Sequence, residues 1–289
     1  MKPPPFEYHA PRDLGAALRT LAEVRGKVLA GGQSLIPMLN MRLTAPEHLV
    51  DINHVASLGG IESLEAGVRV GALARHSEVA RAGAHPLLTR ALKLVAHPAI
   101  RNRGTVVGSL VHADPAAELP AVLAVLGGSV RVARSEGDAQ VERDVPAEDF
   151  FTGPMESAVQ PGELAVSAYF PALGRRTGGA FEEVARRHGD YALAGVCAVV
   201  TLDEEAFVTA AKVACVGVGP VPVVVDVGEA SGHCPVHELD WAEVARLAQS
   251  AVEPEDDIHA SAAYRRHLVG VLAERALRNA AREAETGGA

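Results

Sequence analysis

Cysteine is scarce in this chain: 289 residues hold three, Cys197, Cys215 and Cys234, far apart and odd in number. They form no Cys-x-x-Cys pair, and three thiolates cannot complete the four-thiolate ligation of an iron–sulfur cluster. Cys197 and Cys215 stand inside apolar runs and read as core residues rather than reactive thiols. If the chain moves electrons, iron–sulfur centres lie on other chains. Positive charge is short as well. Lys plus Arg number 27 against 36 Asp plus Glu, a formal charge of -9, which argues against a nucleic-acid partner because such a partner needs a basic face. No apolar run approaches the length of a membrane span. No apolar segment follows the proline-rich start, so no signal peptide is expected and the expected location is cytoplasmic. Also missing are the Gly-x-Gly-x-x-Gly dinucleotide fingerprint and the Gly-Lys of a P-loop, which excludes a nicotinamide-binding Rossmann unit and an ATPase. Neither a Ser-His-Asp triad nor a metal-ligand spacing emerges, so no catalytic residue and no metal ligand is expected.

What is there is apolar and glycine-bearing. Hydrophobic residues make up 48%, enough for substantial cores, and the length suits two domains or one large α/β domain with an appendage. The stretch from Ala99 to Ala121 has no long apolar period and reads as a glycine loop running into the helix Leu119–Leu126. Gly104 and Gly108 let a ligand come close to bare amides. Thr105 and Ser109 add hydroxyls, and Asp114 adds an acceptor suited to a ribose hydroxyl. That inventory fits a nucleotide whose phosphates are held by backbone amides rather than by lysines. The plainer reading is a glycine-containing loop before a core helix.

Along the chain, Phe6-Glu7-Tyr8 suggests a short edge strand, and Asp13 an N-cap for a helix with Leu14, Ala17, Leu18 and Leu21 on one face, ended by Gly26. Lys27–Ala30 is a buried strand leading into Gly31-Gly32-Gln33-Ser34 and a short helix over 35–41, a geometry that aims several amides at one spot. Strands are expected over 49–52 and 68–72. Helices are expected from Glu78, capped by Ser77, and over 87–95. A strand over 129–133 is followed by a polar turn over 134–139. Up to about Phe170 the alternation is α/β or α+β. Near 171–179 Pro, Gly and Arg cluster without apolar periodicity, marking a boundary. Beyond it, 191–202 and 208–218 form an antiparallel pair across Asp203-Glu204-Glu205, and 221–227 can add to it. Helices over 241–251 and 262–284 follow, the last presenting Tyr264, Leu268, Val271 and Leu272 to the sheet.

Nearly end to end, the chain resembles the FAD-binding medium subunit of molybdenum hydroxylases, the carbon monoxide dehydrogenase and xanthine dehydrogenase type enzymes. Phe6-Glu7-Tyr8-His9-Ala10-Pro11 resembles that family's opening strand, and Leu29-Ala30-Gly31-Gly32-Gln33-Ser34-Leu35 its first FAD loop. Arg101-Asn102-Arg103-Gly104-Thr105-Val106-Val107-Gly108-Ser109, with His112 to Glu118, is similar to the second loop. Arg186-Arg187-His188-Gly189-Asp190-Tyr191-Ala192 resembles the start of the C-terminal domain. The resemblance implies an α+β chain. Residues 1–174 would be a two-part FAD-binding domain of the vanillyl-alcohol oxidase-like (PCMH) type. Residues 175–284 would be an α+β C-terminal domain with an antiparallel sheet and helices. It further implies that Ala30, Gly31, Gly32, Gln33, Ser34 and Leu35, with Thr105, Val106, Val107, Gly108 and Ser109, wrap the FAD pyrophosphate. Asp114 would bond the ribose or adenosine side, and Tyr191 would lie near the isoalloxazine.

On the same resemblance, the chain would take electrons from an iron–sulfur small subunit served by a molybdenum large subunit and pass them to a terminal acceptor. Two rivals stand beside this: a free-standing FAD-dependent oxidase or dehydrogenase, and a scaffold subunit that has lost FAD. His112 reads as a packed residue rather than a catalyst. Arg101 and Arg103 could attract a diphosphate or form a solvated surface pair. Glu118 is read as a helix-start residue favoured by the dipole. Where vanillyl-alcohol oxidase type flavoproteins can carry a flavin-linking His, this chain has Gln33, so FAD is expected to be non-covalent. The family usually has two glycines where this chain has Val107-Gly108. A β-branched residue disfavours positive φ, and strain of about 1–3 kcal/mol would weaken FAD binding there. On that premise Val107→Gly should tighten it.

Overall fold

The computed structural model describes residues 2–137, 139–232 and 234–287. β1 (Glu7–His9), α1 (Leu14–Val24), β2 (Lys27–Leu29), α2 (Leu35–Met41) and β3 (His48–Asp51) open the chain. Asp13 starts α1 by accepting the Ala16 amide at 2.8 Å, an N-cap bond, and Ala17, Leu18 and Leu21 bury its apolar face. The helix ends before Gly26. Arg25 takes the left-handed turn at φ 47° and its amide returns to the Leu21 carbonyl. The helices are the crossovers that parallel strands require, and the three strands pair in the order β1-β3-β2.

Next come the hairpin β4 (Ile61–Leu64) and β5 (Gly67–Gly71), then α3 (His76–Ala82), α4 (Pro86–Leu94), α5 (Pro98–Arg101), α6 (Val106–His112) and α7 (Glu118–Leu126). α3 begins two residues before the expected Glu78, because Arg75 is the cap and the Glu78 carboxylate reaches back to its amide at 2.9 Å. β6 (Ser129–Glu136), β7 (Ala139–Pro146), α8 (Ala147–Phe150), β8 (Phe151–Gly153), β9 (Glu156–Ser157) and β10 (Leu164–Pro171) complete this half. A five-stranded antiparallel sheet runs β4-β5-β10-β6-β7. Most of the stretch expected as a polar turn over 134–139 is therefore strand. Its side chains are polar because β7 is an exposed edge, held by pairs such as Arg131–Asp144 at 2.8 Å.

β11 (Thr177–Ala185), β12 (Ala192–Leu202), β13 (Val208–Val216) and β14 (Val223–Asp226) form an antiparallel sheet in sequence order, followed by α9 (Trp241–Ala251) and α10 (Ala262–Glu285). Strand alternation divides its side chains between two cores. Phe181, Cys197, Ala214 and Val216 face the core built around α4 and α7, whereas Val196, Ala198, Val213 and Cys215 pack with α9 and α10. Both cysteines are buried on opposite faces, and burial pushes both thiols up, as expected of inert core residues. On α10 the buried stripe is turned about one residue from expectation. Tyr264 is exposed, while Arg265, Leu268, Leu272 and Ala276 are buried. Arg265 tolerates burial because its guanidinium donates to the Leu193 and Gly217 carbonyls at 2.5 and 3.0 Å and pairs with Asp257 at 2.7 Å. The sheet is tied to the preceding half by the Arg90–Glu283 ion pair and by the Gly217 amide, which donates to the Pro115 carbonyl at 2.8 Å. No helix among the described residues is long and apolar enough to cross a membrane.

Candidate cofactor cleft

Between β2 and α2 the chain turns through Ala30-Gly31-Gly32-Gln33-Ser34. Gly32 takes φ +73°, a left-handed conformation natural to glycine. The Ile36 and Met38 amides close the first turns of α2 onto the Gly32 and Ser34 carbonyls. Among the described residues, no acceptor takes the amides of Gln33, Ser34 and Leu35, three consecutive donors of the kind that form anion-binding nests. Gly31 is the crossing point with the second glycine segment. A Cβ there would lie 2.3 Å from the Arg103 carbonyl oxygen and 2.8 Å from Gly104 Cα, so only glycine lets the two backbones touch.

The second segment is not one loop. α5 and α6 occupy most of it, with Thr105 capping α6 by accepting the Gly108 amide at 3.1 Å. The Val106 amide donates to the Ala74 carbonyl and the Ser109 amide to the Thr105 carbonyl. With the Arg101, Asn102, Arg103 and Gly104 amides turned back into α5, most amides of this segment are committed within the fold. Val107 sits in the first turn of α6 with right-handed helical backbone and is 2% exposed. Strain at Val107, argued above from positive φ, is absent: the residue is ordinary helix with its side chain in the core. Arg101 is half-buried rather than a fully solvated surface residue. Its guanidinium donates to the Val95 and Ala96 carbonyls at 2.8 Å each, closing the end of α4.

Residues that sequence reasoning passed over hold the two segments together from behind. The Asn53 side-chain amide donates to the Ala30 carbonyl at 2.7 Å and to Asp51 at 2.6 Å. Arg75 spans the gap, donating to Asn53 Oδ1 and to the Arg103 carbonyl at 2.6 Å each. Tyr8 anchors the series by donating to Asp51 at 2.5 Å. His76 is buried beneath the second segment, its Nε2 3.4 Å from the Ser109 hydroxyl, and burial lowers its pKa to about 4. It is a neutral imidazole at physiological pH.

These elements wall one cleft of about 1140 Å³, large for a small-molecule pocket and of the size a dinucleotide requires. All the binding residues singled out in the sequence line it except Val106, which is buried behind Val107. Asp114 stands on one wall with Oδ1 accepting the Ala116 amide at 2.9 Å. Tyr191 comes from the second half of the chain, is 68% exposed, and lines the cleft with its phenol beside the Asp114 carboxylate. Partial desolvation and the Asp114 and Glu118 carboxylates raise its phenol above the ordinary range. His112 is half-buried at the end of α6, and burial lowers its pKa. Glu118 does sit in the first turn of α7, but desolvation outweighs the helix dipole. Burial, with the Glu183 and Asp114 carboxylates, lifts its pKa to about 8.

Residues 4–173 match the family described as the FAD binding domain in molybdopterin dehydrogenase, and residues 179–280 match the CO dehydrogenase flavoprotein C-terminal domain. The carbon monoxide dehydrogenase medium chain of Hydrogenophaga pseudoflava is 34% identical, over 96% of this chain and 97% of its own. This chain is an FAD-binding medium subunit of the molybdenum hydroxylase family. Within that family it is 38% identical, over 97% of its length and 96% of the relative's, to the 6-hydroxypseudooxynicotine dehydrogenase complex subunit alpha of Paenarthrobacter nicotinovorans. In structure it is similar to a chain of quinoline 2-oxidoreductase from Pseudomonas putida 86, at TM-score 0.89 and 34% identity over 98% of this chain and 99% of that one. The α+β architecture expected of a molybdenum hydroxylase medium subunit is the one observed.

Proposed function

We propose that this medium subunit holds FAD non-covalently and carries electrons from an iron–sulfur small subunit, fed by a molybdenum large subunit, to a terminal acceptor. The observation that carries the reading is the backbone crossing at Gly31 and Arg103. It joins two glycine segments in one cleft of about 1140 Å³, which Gln33, Ser34 and Leu35, whose amides have no acceptor among the described residues, and Tyr191 also line. Ala30 to Leu35 would bind the pyrophosphate, Thr105 to Ser109 would shape its far side, Asp114 would meet the ribose or adenosine, and Tyr191 would cover the isoalloxazine. The flavin supplies the redox chemistry; the chain orients it and excludes water. Residues 1–174 read as the flavin-holding part, with 175–284 closing it. Gln33 offers no nucleophile for a flavin link, which supports reversible binding. The medium-chain and complex-subunit relatives support a multisubunit setting.

The test is isolation of the chain from its native source with whatever accompanies it. Co-elution with a molybdenum-containing and an iron–sulfur subunit, plus FAD released intact by acid, is the expected result. A flavin-bearing chain that elutes alone and oxidises a substrate itself would favour the free-standing oxidase.

A further inference from the structure

Away from the cleft, strand pairing assembles a cluster that linear spacing did not reveal. In the parallel β1–β3 pair, Glu7 stands opposite His48. Because side chains alternate along a strand, His9 lies on the same face as Glu7. His9 Nε2 is 3.2 Å from His48 Nδ1, Glu7 Oε2 is 3.6 Å from that same Nδ1, and the three ligand atoms lie within 4.8 Å of one another. A tetrahedral ion with bonds of about 2.0–2.1 Å sets its ligand atoms roughly 3.3 Å apart. Two edges of the triangle already have that length, and the third closes by rotation of the Glu7 side chain, which is 75% exposed. A hydrogen bond between the imidazoles would explain one contact only. One Nδ1 proton serves one acceptor, whereas here a ring nitrogen and a carboxylate oxygen both face Nδ1, which suits a cation among the three.

We propose that Glu7, His9 and His48 form a binding site for a divalent late first-row transition ion such as Zn²⁺. Two imidazole nitrogens and a carboxylate oxygen, with no thiolate, favour Zn²⁺, Ni²⁺ or Cu²⁺ over Mg²⁺ or Ca²⁺, and three protein ligands leave a fourth position for water. The frame is held in advance. Tyr8, between the two β1 ligands, donates to Asp51 at 2.5 Å and locks β1 onto β3. The same Asp51 accepts from Asn53, which holds the Ala30 carbonyl. An ion here would therefore clamp the strand on which support of the first glycine segment begins, and ligand binding to the folded state alone raises stability.

The test uses the full-length chain, free of any affinity tag and stripped with a chelator, in equilibrium dialysis against Zn²⁺ with metal analysis, followed by thermal unfolding. The expected result is one Zn²⁺ per chain and a higher Tm in its presence. His9→Gln and His48→Gln should each weaken that binding by about tenfold or more, since ligand loss is felt directly in affinity, and erase the Tm gain. Glu7→Gln should weaken it less. Glu7 is exposed and His9 only partly buried, so their metal-free Tm should stay close to that of the parent, which separates ligand loss from misfolding. Binding that is absent, or that is equally tight in His9→Gln, would overturn the proposal. His259→Gln, at a histidine outside the cluster that contacts Arg186 instead, should leave the Zn²⁺ affinity unchanged.

Discussion

Val107→Gly inserts the glycine that the family resemblance led us to expect there, and the structure reverses the outcome expected from sequence. The backbone at Val107 is right-handed helix, so glycine relieves no strain. The side chain is buried in the core, so glycine also removes packing. Three buried carbons at about 0.8 kcal/mol each, plus about 0.3 kcal/mol for glycine over valine in a helix, give roughly 2.5–3 kcal/mol of lost stability. At about 2–4 °C per kcal/mol for units of this size, Tm should fall by roughly 5–12 °C. The melts are to be compared on flavin-free protein, because bound ligand shifts Tm by mass action. FAD titration should give a Kd within about threefold of the parent, under 1 kcal/mol. An unchanged Tm together with tenfold tighter FAD binding would refute this reasoning and restore the strained-loop picture.

Gly31→Ala drives a Cβ into the Arg103 carbonyl and should part the two segments; we expect FAD affinity to drop by at least tenfold and stability by about 1–3 kcal/mol, read by titration and denaturant melts. Arg75→Met breaks both bonds of the staple between Asn53 and Arg103; the exposed Arg103 carbonyl can turn to water, but the part-buried Asn53 oxygen is left unpaired at a cost of about 1–3 kcal/mol, with weaker FAD binding in the same assays. Glu118 gives a pH signature. Its folded pKa, about 8, lies above the ordinary carboxyl value of 4.5, so the folded state binds its proton more tightly, and that stabilisation is lost as pH rises from 4.5 through 8. Glu118→Gln should therefore gain stability over the parent progressively between about pH 5 and pH 8 and level off above that, measured by urea midpoints, and a difference independent of pH would contradict the assigned burial.

Long periodic segments were legible because their own residues decide them. α9 starts and stops where the apolar spacing says, α10 ends within one residue of it, and β12 pairs with β13 across the acidic turn. α6 was hidden because its seven residues include Gly108 and Ser109, poor helix formers; the Thr105 cap and burial of Val106, Val107 and Leu110 override that local preference. β4 and β7 were hidden because edge strands expose most of their side chains and carry no clear alternation. Most of the residues singled out as cofactor-binding could be brought together from sequence because two compact segments carry them. Asn53, Arg75 and His76 were not, since nothing in local sequence says that the turn after β3 and the start of α3 meet behind both glycine segments. Arg265 escaped for a related reason: an arginine reads as a surface residue until the carbonyls that receive it are in view.

The most direct test of the central claim is the flavin content of the purified chain, measured by visible absorption before and after acid precipitation. The account predicts a two-banded flavin spectrum and one FAD per chain recovered in the supernatant, with added FAD restoring the spectrum to stripped protein. A colourless chain that refuses added FAD would contradict it and leave the cleft as the remnant of a scaffold subunit.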